Sequence, residues 1–257
     1  IPGVAERWET SADGKTWLFH LREARWSNGE PVTAADFVYA WRREVDPKTG
    51  AEYAQSVAPI RNALAIATGA LPAEQLGVEA LDAATLRVQL EAPTPYLLAL
   101  LSASYMMPLH RATVERWGDD WIRPANMVSN GPFALEEVVI GNRITLKKNP
   151  HYWAADSVRL QRVIYYPIDR AEQNSRFLAG ELDLTDSFPI QQYQWLKQRL
   201  GDQVATAPYL GTFMLGLNMQ KPPFAGNRAL RLALTLAVDR ESLVNKVRQG
   251  VYVPAYS

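Results

Sequence analysis

The sequence predicts a mixed α/β protein, and three observations carry that prediction. Hydrophobic residues make up 47% of the 257 positions, enough for a sizeable core and for one large or two ordinary domains. Residues 16–43, TWLFHLREARWSNGEPVTAADFVYAWRR, run a strand, a turn and a capped helix together. Residues 163–184 then alternate strand, helix and strand, a succession that implies parallel pairing with a ligand crevice at the carboxyl ends of the strands.

In chain order, residues 6–20 give a short lead-in and a first strand, in which Trp17, Phe19 and Leu21 alternate with Leu18, His20 and Arg22, the period of a half-buried strand. Ser27-Asn28-Gly29 turns the chain, since Asn and Gly tolerate positive φ. Thr33 and Asp36 have capping-box spacing, and Phe37, Trp41 and Val45 share one face of the helix they open. A second helix is expected over residues 59–69, with Ile60, Leu64 and Ala67 aligned and Gly69 as its stop. Residues 76–81 and 85–90 form a hairpin around Asp82-Ala83-Ala84, and residues 96–101 open an apolar helix. A short helix over 112–118 precedes a loop. The Gly141-Asn142 pair then joins two alternating runs in a second hairpin. Further on come strands at 163–166, 182–184 and 203–207 and helices at 171–179 and 190–200. The apolar run 209–218 and a final helix aligning Leu230, Leu234 and Val238 complete the chain.

Composition excludes several functions. Lys plus Arg is 27 and Asp plus Glu is 27, so no net field draws in nucleic acid or an anionic membrane surface. Apolar runs fall short of a bilayer span. With no cysteine there is no disulfide, thiolate metal site or cysteine nucleophile. Hydrolase elbows, zinc-protease helices, P-loops and dinucleotide fingerprints are missing from the sequence. His20, His110 and His151 are scattered, as structural histidines are. Glu181 and Asp183, two apart, would share a strand face, with Asp186 as a third acid. They are the only basis for a hydrolase, and a solvated strand end explains them as well. Eight Trp and eleven Tyr suit an aromatic-walled binding site. Trp17, Trp26, Phe37 and Trp41 sit at core spacing, whereas Tyr53, Tyr193 and Tyr209 lie beside turns.

The segments PGVAERWETSADGKTWLFH and LREARWSNGEPVTAADFVYAWRREVDP, followed by the NGPF and LKKNPHYW motifs, closely resemble solute-binding proteins of ABC peptide importers, the oligopeptide-binding branch especially. That resemblance implies a type II periplasmic-binding-protein-like fold with two lobes closing on an extended peptide. It implies no cofactor and no enzymatic activity, a periplasmic location, and the membrane subunits of an ABC importer as partners. It also divides the chain into a small lobe (1–110), part of the first ligand-binding lobe (111–210) and the start of the second (211–257). Tyr53 in VDPKTGAEYA and Tyr209 in APYLGTF match tyrosines that line the family's cleft. Asp186 and Ser187 in TDSFPI match a cleft stretch, one residue shorter here, and Met214 stands where the wall is more polar in relatives. The acid that neutralises a peptide's amino terminus in the family lies in the further lobe. Other members of the family take a murein peptide, glutathione, haem or a metal chelate. Ile1-Pro2-Gly3 and the unclosed end at Ser257 suggest a piece of a longer protein.

Overall fold

A computed structural model describes residues 3–207, 209 and 211–256. The chain forms two compact units, Ile1–Pro167 and Ile168–Ser257.

The first unit is built on a four-stranded antiparallel sheet. Strands β1 (Ala5–Thr10), β2 (Thr16–Leu21), β3 (Val78–Ala80) and β4 (Thr85–Gln89) lie in the order β1-β2-β4-β3. The alternation in β2 has the expected result. Trp17, Phe19 and Leu21 are buried, and Trp17 and Phe19 stand opposite Val88 and Leu86, which are buried on the same face. Strand β1 is an element that the sequence pattern hides. It is an edge strand exposed along most of its length, so it has no apolar alternation to reveal it. What marks it is the turn. Gly14 takes φ +67°, and the Asp13 carboxylate accepts from the Lys15 N–H at 3.0 Å and the Ser11 hydroxyl at 2.5 Å.

Helix α1 (Ala34–Val45) covers this sheet with Ala34, Val38, Trp41 and Val45 buried and Phe37 partly so. Asp36 ties its first turn, because one carboxylate oxygen accepts from the Thr33 N–H at 2.7 Å and from the Thr33 hydroxyl at 3.1 Å. Arg42 and Arg43 face the negative carboxyl end. Asp36→Ala should therefore cost about 1 kcal/mol of stability in urea titration. A change within error would mean that the box contributes nothing.

The helix expected over 59–69 is shorter. Ile60 instead bridges to Leu90, and Asn62 adopts φ +68°, so α2 spans only Ala63–Ala67. Asn62 is held in that conformation by its N–H donating to Glu91 at 2.7 Å and its side-chain amide donating to the Gln75 carbonyl at 2.8 Å. The break resets the phase: Ile60 and Ile66 are buried, while Leu64 is exposed. Helices α3 (Leu97–Leu100) and α4 (Arg111–Trp117) follow.

A second antiparallel sheet comprises β5 (Phe133–Val139), β6 (Arg143–Lys148) and β7 (Arg162–Tyr165), in that order. Gly141, at φ +71°, turns β5 into β6 as the Gly-Asn pair predicts. Fully buried Asn149 links the two neighbouring motifs. Its side-chain amide donates to the Gly131 carbonyl of NGPF at 2.9 Å, and its side-chain oxygen accepts from the His151 N–H at 3.0 Å. A smaller core of Ala24, Trp26 and Val32 gathers Phe37, Val128 and Trp153 around it.

In the second unit Asp169 caps α5 (Arg170–Leu178) by accepting from the Glu172 N–H at 2.9 Å. Helix α6 (Tyr193–Leu200) carries buried Leu196, and Val204 and Val244 are also buried. Asn227 caps α7 (Arg228–Ala237), and the short α8 (Arg240–Ser242) leads into a π-helical turn, Leu243–Val247. The parallel strand-helix-strand unit does not form. Every strand pairing among the described residues is antiparallel, β7 pairs with β6, and residues 182–184 and 203–207 are not strands. With no neighbouring strand to bond, the Leu182-Asp183-Leu184 triplet has nothing to hold it extended, and Leu184 is exposed. The final helix ends at Ala237 rather than carrying Val238, and Leu234 is exposed. The run 209–218 is irregular, with its Leu210 outside the described residues. No helix among the described residues is long and apolar enough to cross a membrane.

Candidate ligand-binding site

Tyr53 belongs to the first unit. The chain reaches it through two devices: Asp46 accepts from the Lys48 N–H at 2.9 Å, and Gly50 takes φ +64°, where a side chain would be strained. Tyr53 then starts a 3₁₀ turn, Ala54–Val57, that is anchored by buried Val57. Tyr53 is 52% exposed. It stacks on Tyr105 at 5.1 Å between centroids and 12° between planes.

The remaining expected residues lie in the second unit. Ser187 donates from its hydroxyl to the Asp186 carboxylate at 3.1 Å. Tyr193 is taken up in a parallel stack with Phe188, at 5.9 Å. Tyr209 is 91% exposed, and its ring lies over the backbone of Gly211, where a Cβ would approach to 2.7 Å. Only a residue without a side chain allows that ring position unchanged. Met214 is exposed between exposed Phe213 and Leu215. Arg248 stands 5.7 Å over the Phe213 ring and 5.2 Å over that of Tyr252, a cation–π arrangement that keeps a charge beside this apolar strip. Tyr53 and Tyr209 thus present free ring surface, as a ligand-facing ring requires.

The acids do not assemble as the strand-face argument expects. Residues 182–184 are not a strand, so Glu181 and Asp183 share no sheet face. Glu181 lies 3.8 Å from the Arg176 guanidinium, and Asp186 holds Ser187. No group of three or more His, Asp or Glu residues suited to a metal ion occurs among the described residues.

One cluster escapes sequence reasoning altogether. His110 is buried, accepts from the Thr113 N–H through Nδ1 at 3.3 Å, and places Nε2 2.6 Å from Glu30, eighty positions away. Trp26 packs edge-on against it at 5.4 Å. Because Nδ1 is accepting, Nε2 carries the proton and donates to the Glu30 carboxylate. A cavity of about 320 Å³ lies beside the pair, also bordered by Asp36, Arg111 and Glu115. A second, of about 450 Å³, lies on the β5–β7 sheet and is floored by ion pairs, Arg162 to Glu136 at 2.9 Å and Arg143 to Glu137 at 3.0 Å. These carboxylates are ion-paired with guanidinium groups on a solvent-accessible sheet surface, where such pairs add little stability.

Comparison with known proteins follows the same lines. The family of bacterial extracellular solute-binding proteins, family 5 Middle, matches residues 1–257. The periplasmic oligopeptide-binding protein OppA of Salmonella typhimurium is 44% identical over 261 residues, covering 100% of this chain and 48% of that protein. The periplasmic murein peptide-binding protein MppA of Escherichia coli is 42% identical, covering 100% of this chain and 48% of that protein. Haemophilus influenzae OppA in complex with RPPGFSPFR aligns with a TM-score of 0.87 at 39% identity, over 97% of this chain and 50% of that one. The chain spans about half the length of the curated relatives it matches.

Proposed function

We propose a function from one premise: the chain belongs to family 5 of the bacterial extracellular solute-binding proteins. The intact protein is a receptor that binds oligopeptides and delivers them to the membrane subunits of an ABC importer, in the periplasm. The carrying observation is the 44% identity to an oligopeptide-binding protein along the whole of this chain. It is supported by the likeness, at a TM-score of 0.87, to a relative solved with a nonapeptide.

In this reading two lobes enclose an extended peptide. Its main chain offers the same hydrogen-bonding groups whatever its sequence, and roomy pockets tolerate different side chains. Tyr53, Asp186, Ser187, Tyr209 and Met214 face the ligand, and the chain divides into the small lobe 1–110, first-lobe residues 111–210 and second-lobe residues 211–257. Exposed Tyr53 and Tyr209 support the first assignment. A murein-peptide receptor is the second reading, favoured by the 42% identity to MppA. Hydrolysis by Glu181, Asp183 or Asp186 is disfavoured, because their shared face is missing.

Native mass spectrometry of the intact protein as purified separates these readings. The expected result is one bound peptide per protein, with mixed sequences. A single species with the composition of a cell-wall peptide would replace the oligopeptide reading with the murein one.

A further inference from the structure

Tyr105 is not marked by any motif, yet it is the residue on which Tyr53 rests. It lies in the 3₁₀ turn Ser104–Met106 and packs against the main core of the first unit. Its neighbour Met106 is buried, and the Met106 carbonyl accepts from the Trp41 indole N–H of α1 at 2.9 Å. The turn that carries Tyr105 is therefore tied to α1, and Tyr105 itself is partly buried against the core that α1 helps to form.

Tyr53 has no such anchor of its own. Half exposed on a short turn, its ring would be free to sample several rotamers. The Tyr105 stack, at 5.1 Å and 12°, covers one face of it, and Tyr53 still remains 52% exposed. A ring already immobilised loses less entropy when a ligand settles on it. We infer that Tyr105 is a positioning residue for Tyr53, and that the two rings make a flat wall selecting a planar side chain, aromatic or guanidinium, at one position of a bound peptide. An aromatic ring stacks in offset on the Tyr53 ring, and a guanidinium meets its negative quadrupole. A branched aliphatic chain gains only contact area there. This inference rests on the peptide-receptor reading.

The test is calorimetric titration of the intact protein and its Tyr105→Leu and Tyr105→Phe variants with tetra-alanine and with its derivatives carrying Phe, Arg or Leu at each position in turn. The intact protein is expected to bind the Phe or Arg peptide about threefold to tenfold more tightly than the Leu peptide at one position. Tyr105→Leu keeps apolar contact with the core but removes the flat ring. It should abolish that preference by lowering the affinity for the Phe and Arg peptides to that of the Leu peptide, and Tyr105→Phe should retain it. A preference that survives in Tyr105→Leu overturns the inference alone, as does its absence from the unmodified protein when tetra-alanine binds. Failure of every peptide to bind the unmodified protein overturns the receptor reading together with the inference.

Discussion

Replacing Trp41 with alanine should lower the stability of the first unit by about 3–5 kcal/mol, the range for deleting a large buried aromatic ring. Trp41 is 2% exposed on α1, within the cluster that includes Phe19, Val45, Ile66 and Val88. Two losses combine. The ring leaves a cavity that its β-sheet and helix neighbours cannot fully close, and the Met106 carbonyl loses the indole N–H that donates to it in a buried setting. Trp41→Phe weights the two differently, since it retains most of the ring volume and removes the N–H completely. It should cost less, about 1–3 kcal/mol. Urea denaturation followed by circular dichroism measures both. Equal costs for the two variants would show that the hydrogen bond, not the packing, dominates.

The second large effect is expected at Asn149, which is fully buried and satisfies two backbone groups of the NGPF and NPHYW motifs. In Asn149→Ala both partners are orphaned. His151 is exposed, so its N–H is readily rehydrated, and the Gly131 carbonyl carries most of a penalty of about 2–3 kcal/mol. Asn149→Asp is more informative. One carboxylate oxygen can still accept from the His151 N–H, but the other faces the Gly131 carbonyl with no proton to share. Burial and that carbonyl both favour the neutral acid, raising its pKa in the folded state. A group whose folded pKa is raised contributes stability at low pH that is lost as pH rises through the folded value. Asn149→Asp should thus recover stability as the pH falls toward the unfolded value of about 3.9. A pH-independent deficit relative to the parent protein would show that this amide position is hydrated.

Much of the first unit was legible because its signals are local. The Trp17-Phe19-Leu21 alternation, the Thr33–Asp36 box and the Gly141 turn each need only a few residues of sequence, and each appears where expected. Elements whose cause lies elsewhere were not legible. Strand β1 is an exposed edge and carries no apolar rhythm. The phase of α2 is set by Glu91 and the Gln75 carbonyl gripping Asn62, and no periodicity in 59–69 records that. Parallel pairing failed for the same reason, since the order of elements does not say which strand will bond to β7. At the site, turn chemistry around Asp46 and Gly50 indicates an exposed Tyr53, whereas the choice of Tyr53 and Tyr209 as ligand residues came from resemblance. Tyr105 and the Glu30–His110 pair arise only from folding, across separations that short motifs cannot span.

The most direct measurement of the central claim is calorimetric titration of the intact protein with an extended oligopeptide, alongside its Tyr53→Ala and Tyr209→Ala variants. The receptor account predicts saturation at one peptide per protein, a negative heat-capacity change from apolar burial, and about tenfold weaker binding in each variant with an unchanged melting temperature. Saturable binding that neither variant weakens would contradict the site, and the absence of saturable heat with any peptide would contradict the receptor itself.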